Sequence, residues 1–194
     1  MYIKPGFNES EKRKKLITEI DHVFMNSPLK DPICNSNCSA FESNESCDKM
    51  CSLAPKMLSN TPEHPVEENI APLVFEIKKL GIFQPCWSCE GHNDPNGQLW
   101  KKPNIWFYCQ SVVHARAFSN AIDMIYNMKT LSTRWVVELT HSDIDNPDTT
   151  FCLKPMLEDT NVSLKDLHKD IEVLYMNLSA KFRLACEKLR KSAM

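Results

Sequence analysis

Apolar residues recur along this chain at two distinct periods, and the alternation between them sets out the elements. Residues 9–25 place Leu16, Ile20, Val23 and Phe24 on one face, with Asn8 or Ser10 available as a cap, so the spacing predicts an amphipathic helix. The Lys12-Arg13-Lys14-Lys15 run then falls on its solvated side. A second helix is predicted from Asn69, as cap, to Leu80-Gly81: Ile70, Leu73, Val74, Ile77 and Leu80 form a stripe, Pro72 fits the first turn and Gly81 terminates it. Residues 83–92 and 103–109 read as strands, and Ser111 caps a helix to about Met128 with Ala115, Phe118, Ile122 and Ile125 inward. Strands follow at 134–140 and 150–154. Ser163-Leu164-Lys165-Asp166 has the form of a capping box. It opens a long helix whose seam runs Leu164, Leu167, Ile171, Leu174, Leu178, Phe182, Ala185 and Leu189.

From residue 83 the order is strand, strand, helix, strand, strand, helix. Adjacent strands interrupted by helices favour an antiparallel or mixed sheet with helices on one face, an α+β fold. Residues 1–62 are expected to form an N-terminal helix and a cysteine-rich helical hairpin, and residues 63–194 the α+β domain; the Thr61-Pro62-Glu63-His64-Pro65 segment is the rigid connector between them. The C-terminal seam suits core packing or the docking of a partner protein.

Composition narrows the function classes. A net charge of −2 gives no sign of a nucleic-acid binder. No apolar run approaches the ~20 residues of a membrane span. The first residues lack the apolar stretch of a secretory signal, so a cytoplasmic location is expected. The Gly-rich phosphate loops, the GxSxG elbow and the HExxH helix are all absent.

Nine cysteines change the picture. In a reducing compartment they point to metal ligands, catalytic thiols or buried small side chains. Cys34, Cys38, Cys47 and Cys51 form two Cys-x3-Cys pairs, each on one side of a helical turn. Facing each other, they suit zinc or an iron–sulfur cluster. Twin disulfides in an oxidising compartment, and unlinked thiols, are the alternatives. The densest reactive stretch is Pro85-Cys86-Trp87-Ser88-Cys89-Glu90-Gly91-His92. Cys86, Cys89 and His92 are suited to zinc or iron, provided a knuckle at Pro85-Cys86 brings the two thiols to one side. A thiol redox pair at Cys86 and Cys89 is a second possibility, and inert buried thiols a third. Strict alternation puts Ser88, Glu90 and His92 on one face, with Glu90 and His92 as a general acid/base pair or a surface salt bridge, and Trp87 and Cys89 in the core. His114 and Arg116 begin their helix, where Arg116 would hold an anionic substrate group. His141 closes a strand. If that strand lies beside the central one, His92, His114 and His141, with Glu90 or Asp143, line a metal-dependent catalytic cleft. The sequence therefore reads as a zinc- or iron-binding protein, a modifying enzyme if that cleft forms. The other readings are an interaction module built on a structural four-cysteine metal site and a thiol redox protein.

The Ser88-Cys89-Glu90-Gly91-His92 motif, followed by Pro103-x-Ile105-x-Phe107, resembles small bacterial and phage proteins carrying a Ser-Cys-Glu-Gly-His strand. Over residues 81–155 the layout is also similar to the wybutosine-synthesis tRNA methyltransferase family, in which a Ser-Cys-Ser-Gly-Arg strand leads into a strand, a helix and a further strand. This chain has Glu90 and His92 where that family has Ser and Arg, so the resemblance carries the layout and not the S-adenosylmethionine chemistry.

Overall fold

The structure, a computed structural model, describes residues 9–26, 66–109, 111–141, 149–157 and 162–194. Cys34, Cys38, Cys47, Cys51 and Asp143 lie outside the described residues. The elements, in chain order, are α1 (Glu9–Asn26), α2 (Ala71–Lys79), β1 (Phe83–Cys89), β2 (His92–Asn93), β3 (Leu99–Lys101), β4 (Asn104–Cys109), α3 (Val112–Tyr126), β5 (Arg134–His141), β6 (Thr149–Met156) and α4 (Leu164–Ala193).

The fold is α+β. Four strands form an antiparallel sheet in the order β1-β4-β6-β5, and β2 and β3 pair as a separate small hairpin. The four described helices share one hydrophobic core with one face of the sheet. From the sheet come Phe83, Ile105, Phe107, Trp135, Phe151 and Leu153; from α4 come Leu167, Ile171, Leu174, Leu178, Phe182, Ala185 and Leu189. The long seam of α4 is thus occupied within the chain, as core packing. Its outward side leaves Met176 exposed. Phe83 sits at the centre, with the rings of Phe107, Phe118 and Phe182 at 5.0–5.6 Å between centroids. α1 is part of this layer: Ile20 and Val23 are fully buried, and Arg190 of α4 pairs with Asp21 at 3.1 Å.

Local chemistry explains the element ends. Ser163 and Asp166 make the reciprocal capping box. Ser111 Oγ accepts the Val113 N–H at 3.1 Å, starting α3. At α2 the expected Asn69 cap is replaced. Ile70 is the cap residue and makes no side-chain bond, while Asn69 donates its own N–H and Nδ2 to Glu90 Oε2, both at 2.9 Å. Asp170 is a buried acceptor in α4. It receives the Ser132 N–H and hydroxyl, the Thr133 N–H and Trp135 Nε1 at 2.7–3.3 Å, which pins the start of β5 to the helix.

The strict alternation expected along residues 86–92 does not hold. Between Pro85 and Trp87 the register to β4 shifts, so that Trp87 opposes Trp106, Ser88 opposes Ile105 and Cys89 opposes Asn104. A bulge of this kind rotates every side chain beyond it to the other face. Trp87, expected in the core, is therefore 60% exposed on the sheet face turned away from the described helices. Cys89 lies on that face too, buried outside the main core. Gly91 then breaks the strand, at φ +88°.

Candidate metal centre

After the Gly91 break the chain turns back over the end of β1. This brings His92 to Cys89 and to Glu67, which lies in the segment leading into α2. The ligand atoms of Glu67, Cys89 and His92 all lie within 4.8 Å of one another. His92 Nε2 is 3.1 Å from Glu67 Oε1. Two ligand atoms at tetrahedral angles on zinc, each about 2.0–2.1 Å from the ion, stand about 3.3 Å apart. The observed spacing is close to that edge.

Glu67 is held from behind. Its Oε2 accepts the Glu90 N–H at 2.7 Å, which leaves Oε1 directed at His92. The Glu90 carbonyl in turn accepts Nε2–H of His168, from the first turns of α4, at 2.9 Å. Glu90, expected as an acid/base partner of His92, instead ties the turn before α2 to the strand end. It fixes the backbone on which the three donors sit. Glu67 and His92 keep about a third or more of their side-chain surface open (33% and 40%), whereas Cys89 is buried.

The remaining sequence candidates lie elsewhere. β4 runs from Asn104, beside Cys89, to Cys109, beside Phe83, and α3 starts beyond that far end. His114 therefore follows the end of β4 opposite the one beside Cys89, and it is not among the donors that cluster with His92. It is fully buried against α1: its Nε2–H donates to the Glu19 carbonyl at 3.0 Å and its ring stacks on His22 at 6.0 Å between centroids. Arg116 is exposed on α3. His141 ends β5 opposite Thr149, and β6 and β4 separate β5 from β1. The condition for three converging imidazoles, β5 beside β1, is not met.

The described thiols share one electrostatic trend. Burial pushes Cys86, Cys89 and Cys109 above the usual thiol range, Cys152 up to about 11 and Cys186 up to about 12. A nucleophilic redox cysteine needs the opposite shift. Cys86 is not part of the three-donor cluster. Its thiol, beside Tyr108, stays protonated in the neutral range.

Glu67 is the donor that sequence spacing missed. It lies far from His92 along the chain and no motif links them; only the Glu90 turn brings them together.

Cys89 also borders a groove on the sheet face turned away from the described helices. The groove has a volume of about 460 Å³. Trp87, Trp106, Cys152, Glu138 and Lys154 line it from the sheet, and Trp100, Lys101 and Lys102 line it from β3 and the residue after it. No protein-family model, curated protein or solved structure matches this chain.

Proposed function

We propose that this is a metal-binding protein that holds zinc, or less favourably iron, through Glu67 Oε1, Cys89 Sγ and a ring nitrogen of His92. The carrying observation is the proximity of three chemically different donors, one of them a buried thiol beside a half-exposed imidazole. A thiolate, an imidazole and a carboxylate together form a donor set that zinc accepts. The metal would displace the Cys89 proton and so overcome the cost that burial places on the bare thiolate. Three protein ligands leave a fourth tetrahedral position open. A water bound there would be acidified toward neutrality, which is the starting point for metal-dependent modifying chemistry.

The test is a titration of the EDTA-treated chain with Co²⁺, which reports thiolate ligation through its charge-transfer band, followed by displacement with zinc. About one equivalent showing single-thiolate absorption is expected, abolished by Cys89→Ser and weakened at least tenfold by His92→Ala. Glu67→Gln is expected to weaken binding without removing the thiolate band. Uptake that is indifferent to both Cys89→Ser and His92→Ala sinks the proposal. Any further equivalent lost on changing Cys34 and Cys38 to Ser belongs to the cysteine-rich segment.

A further inference from the structure

The sheet face turned away from the described helices, together with the β2–β3 hairpin beside it, carries more aromatic surface than a solvated face requires. Trp87 is 60% exposed and Trp100 67% exposed, and Trp106 lies directly across the β1–β4 ladder from Trp87. Exposed indoles grouped around a concavity mark a binding surface more often than isolated ones do. The β2–β3 hairpin creates the concavity. Asp94 Oδ1 accepts the N–H groups of Asn96 and Gln98 at 2.9 and 2.8 Å, closing the turn, and β3 stands Trp100, Lys101 and Lys102 beside the sheet. The resulting 460 Å³ lies within the roughly 300–1,000 Å³ range of small-molecule sites.

The charges around the groove divide into two sets. On the sheet side Lys154 is paired with Glu138 at 2.5 Å. On the hairpin side Lys101 and Lys102 are exposed, and no ion pair with a carboxylate joins either of them among the described residues. The Lys101 ammonium stands over the Trp100 ring, 5.0 Å from its centroid, and both side chains line the groove. Flat π surfaces beside ammonium groups that make no ion pair among the described residues are complementary to a flat ring that bears a negative group.

We propose that this groove binds a small planar aromatic anion of nucleotide size, its ring against the indoles of Trp87 and Trp100 and its anionic group at Lys101 and Lys102. The indoles and lysines need no metal, so the site can be tested apart from the metal reading; Cys89, which borders the groove, would place such a ligand next to the metal. A net charge of −2 for the whole chain does not oppose this, because lysines within a Debye length (about 8 Å) act locally.

Adenosine 5′-monophosphate is the probe, titrated calorimetrically into the EDTA-treated full chain, with adenosine and ribose 5-phosphate as partial ligands. The monophosphate is expected to bind more tightly than either part, and added salt to remove its advantage over adenosine. Trp87→Ala is expected to weaken binding roughly tenfold, with Trp87→Phe recovering part of it. Because Trp87 is mostly solvent-exposed, the fold should survive both changes. Lys101→Ala with Lys102→Ala should bring the monophosphate down to the level of adenosine. Absence of heat at millimolar monophosphate overturns the proposal, as does equal binding of monophosphate and adenosine in the unaltered chain. Binding of a single-stranded oligonucleotide but not of the monophosphate also overturns it, in favour of a polymer surface. Failure of Co²⁺ uptake leaves every one of these outcomes readable.

Discussion

Among the described residues, His114 carries a buried side-chain nitrogen without a hydrogen-bond partner. Its ring is fully buried, with Nε2–H donating to the Glu19 carbonyl, and Nδ1 has no hydrogen-bond partner among the described residues. A second proton would have to go on Nδ1, where no acceptor waits. Burial accordingly lowers the His114 pKa below its ordinary 6.5; the Glu19 carbonyl and carboxylate oppose that shift and His22 adds to it. The sign follows from linkage. Between the depressed native value and 6.5 the unfolded chain binds the proton and the native one does not, so stability is full above 6.5 and is lost as pH falls through the native value. Denaturant melts from about pH 7.5 to about pH 5 should show this fall, and His114→Gln should flatten it. The Gln amide can still donate to the Glu19 carbonyl but cannot titrate. An unchanged slope would assign the loss to other groups. Sequence placed His114 correctly in the first turn of a helix. Its partner was not legible, because Glu19 lies on a helix remote in the chain.

At the scale of elements, Gly91 links β1 to the hairpin. A Cβ there would sit 2.8 Å from Leu164 Cδ1 and from Pro103 Cδ, and 3.0 Å from the Lys101 carbonyl, on a backbone already at φ +88°. The carbonyl belongs to the strand that pairs with His92 and cannot give way alone. Gly91→Ala should cost about 1–3 kcal/mol. It should also weaken zinc binding by roughly 10–100-fold, because it moves His92 relative to Cys89. Gly97→Ala is the control. Its φ is +81° but nothing lies within 4 Å, so about 1 kcal/mol should be lost while zinc binding is kept. Equal zinc affinity in the two variants would remove Gly91 from the site's architecture. The contrast shows which parts of the fold sequence could reveal. The capping box at Ser163, the α4 seam and the Ser111 cap depend on neighbours within a few residues, and periodicity finds them. The bulge after Pro85 depends on the register with β4, and the Asn69–Glu90 bonds on the fold of two distant segments; neither leaves a local pattern. The motif from Cys89 to His92 was visible as a concentration of donors. The bulge and the glycine break decided which of them meet.

For the whole molecule, the three proposed ligands span the ends of several elements: Glu67 precedes α2, Cys89 closes β1 and His92 opens the hairpin. A metal held there would act as a clamp across segments that must all be in place before it can bind. Its binding free energy then adds to folding free energy, by about 2.7 kcal/mol at a hundredfold excess over Kd. For a chain of this size that corresponds to a rise of roughly 5–10 °C in melting temperature. The sign of the shift is informative in this chain. Its nine cysteines and six histidines give the unfolded state many ways to bind zinc, and binding to the unfolded state lowers the melting temperature. A net rise therefore requires a native site that outcompetes them. His92→Ala and Cys89→Ser separate a native site at this position from one elsewhere in the chain, because each removes one donor and leaves all the other thiols and imidazoles free to bind zinc when unfolded. In Cys89→Ser the rise should vanish or reverse and in His92→Ala it should fall by about half or more, while their melting temperatures in EDTA stay within a few degrees of the unaltered chain. If zinc stabilises the variants as much as the original, the stabilising metal sits outside Glu67, Cys89 and His92, and the cysteine-rich segment at Cys34, Cys38, Cys47 and Cys51 becomes the place to test next.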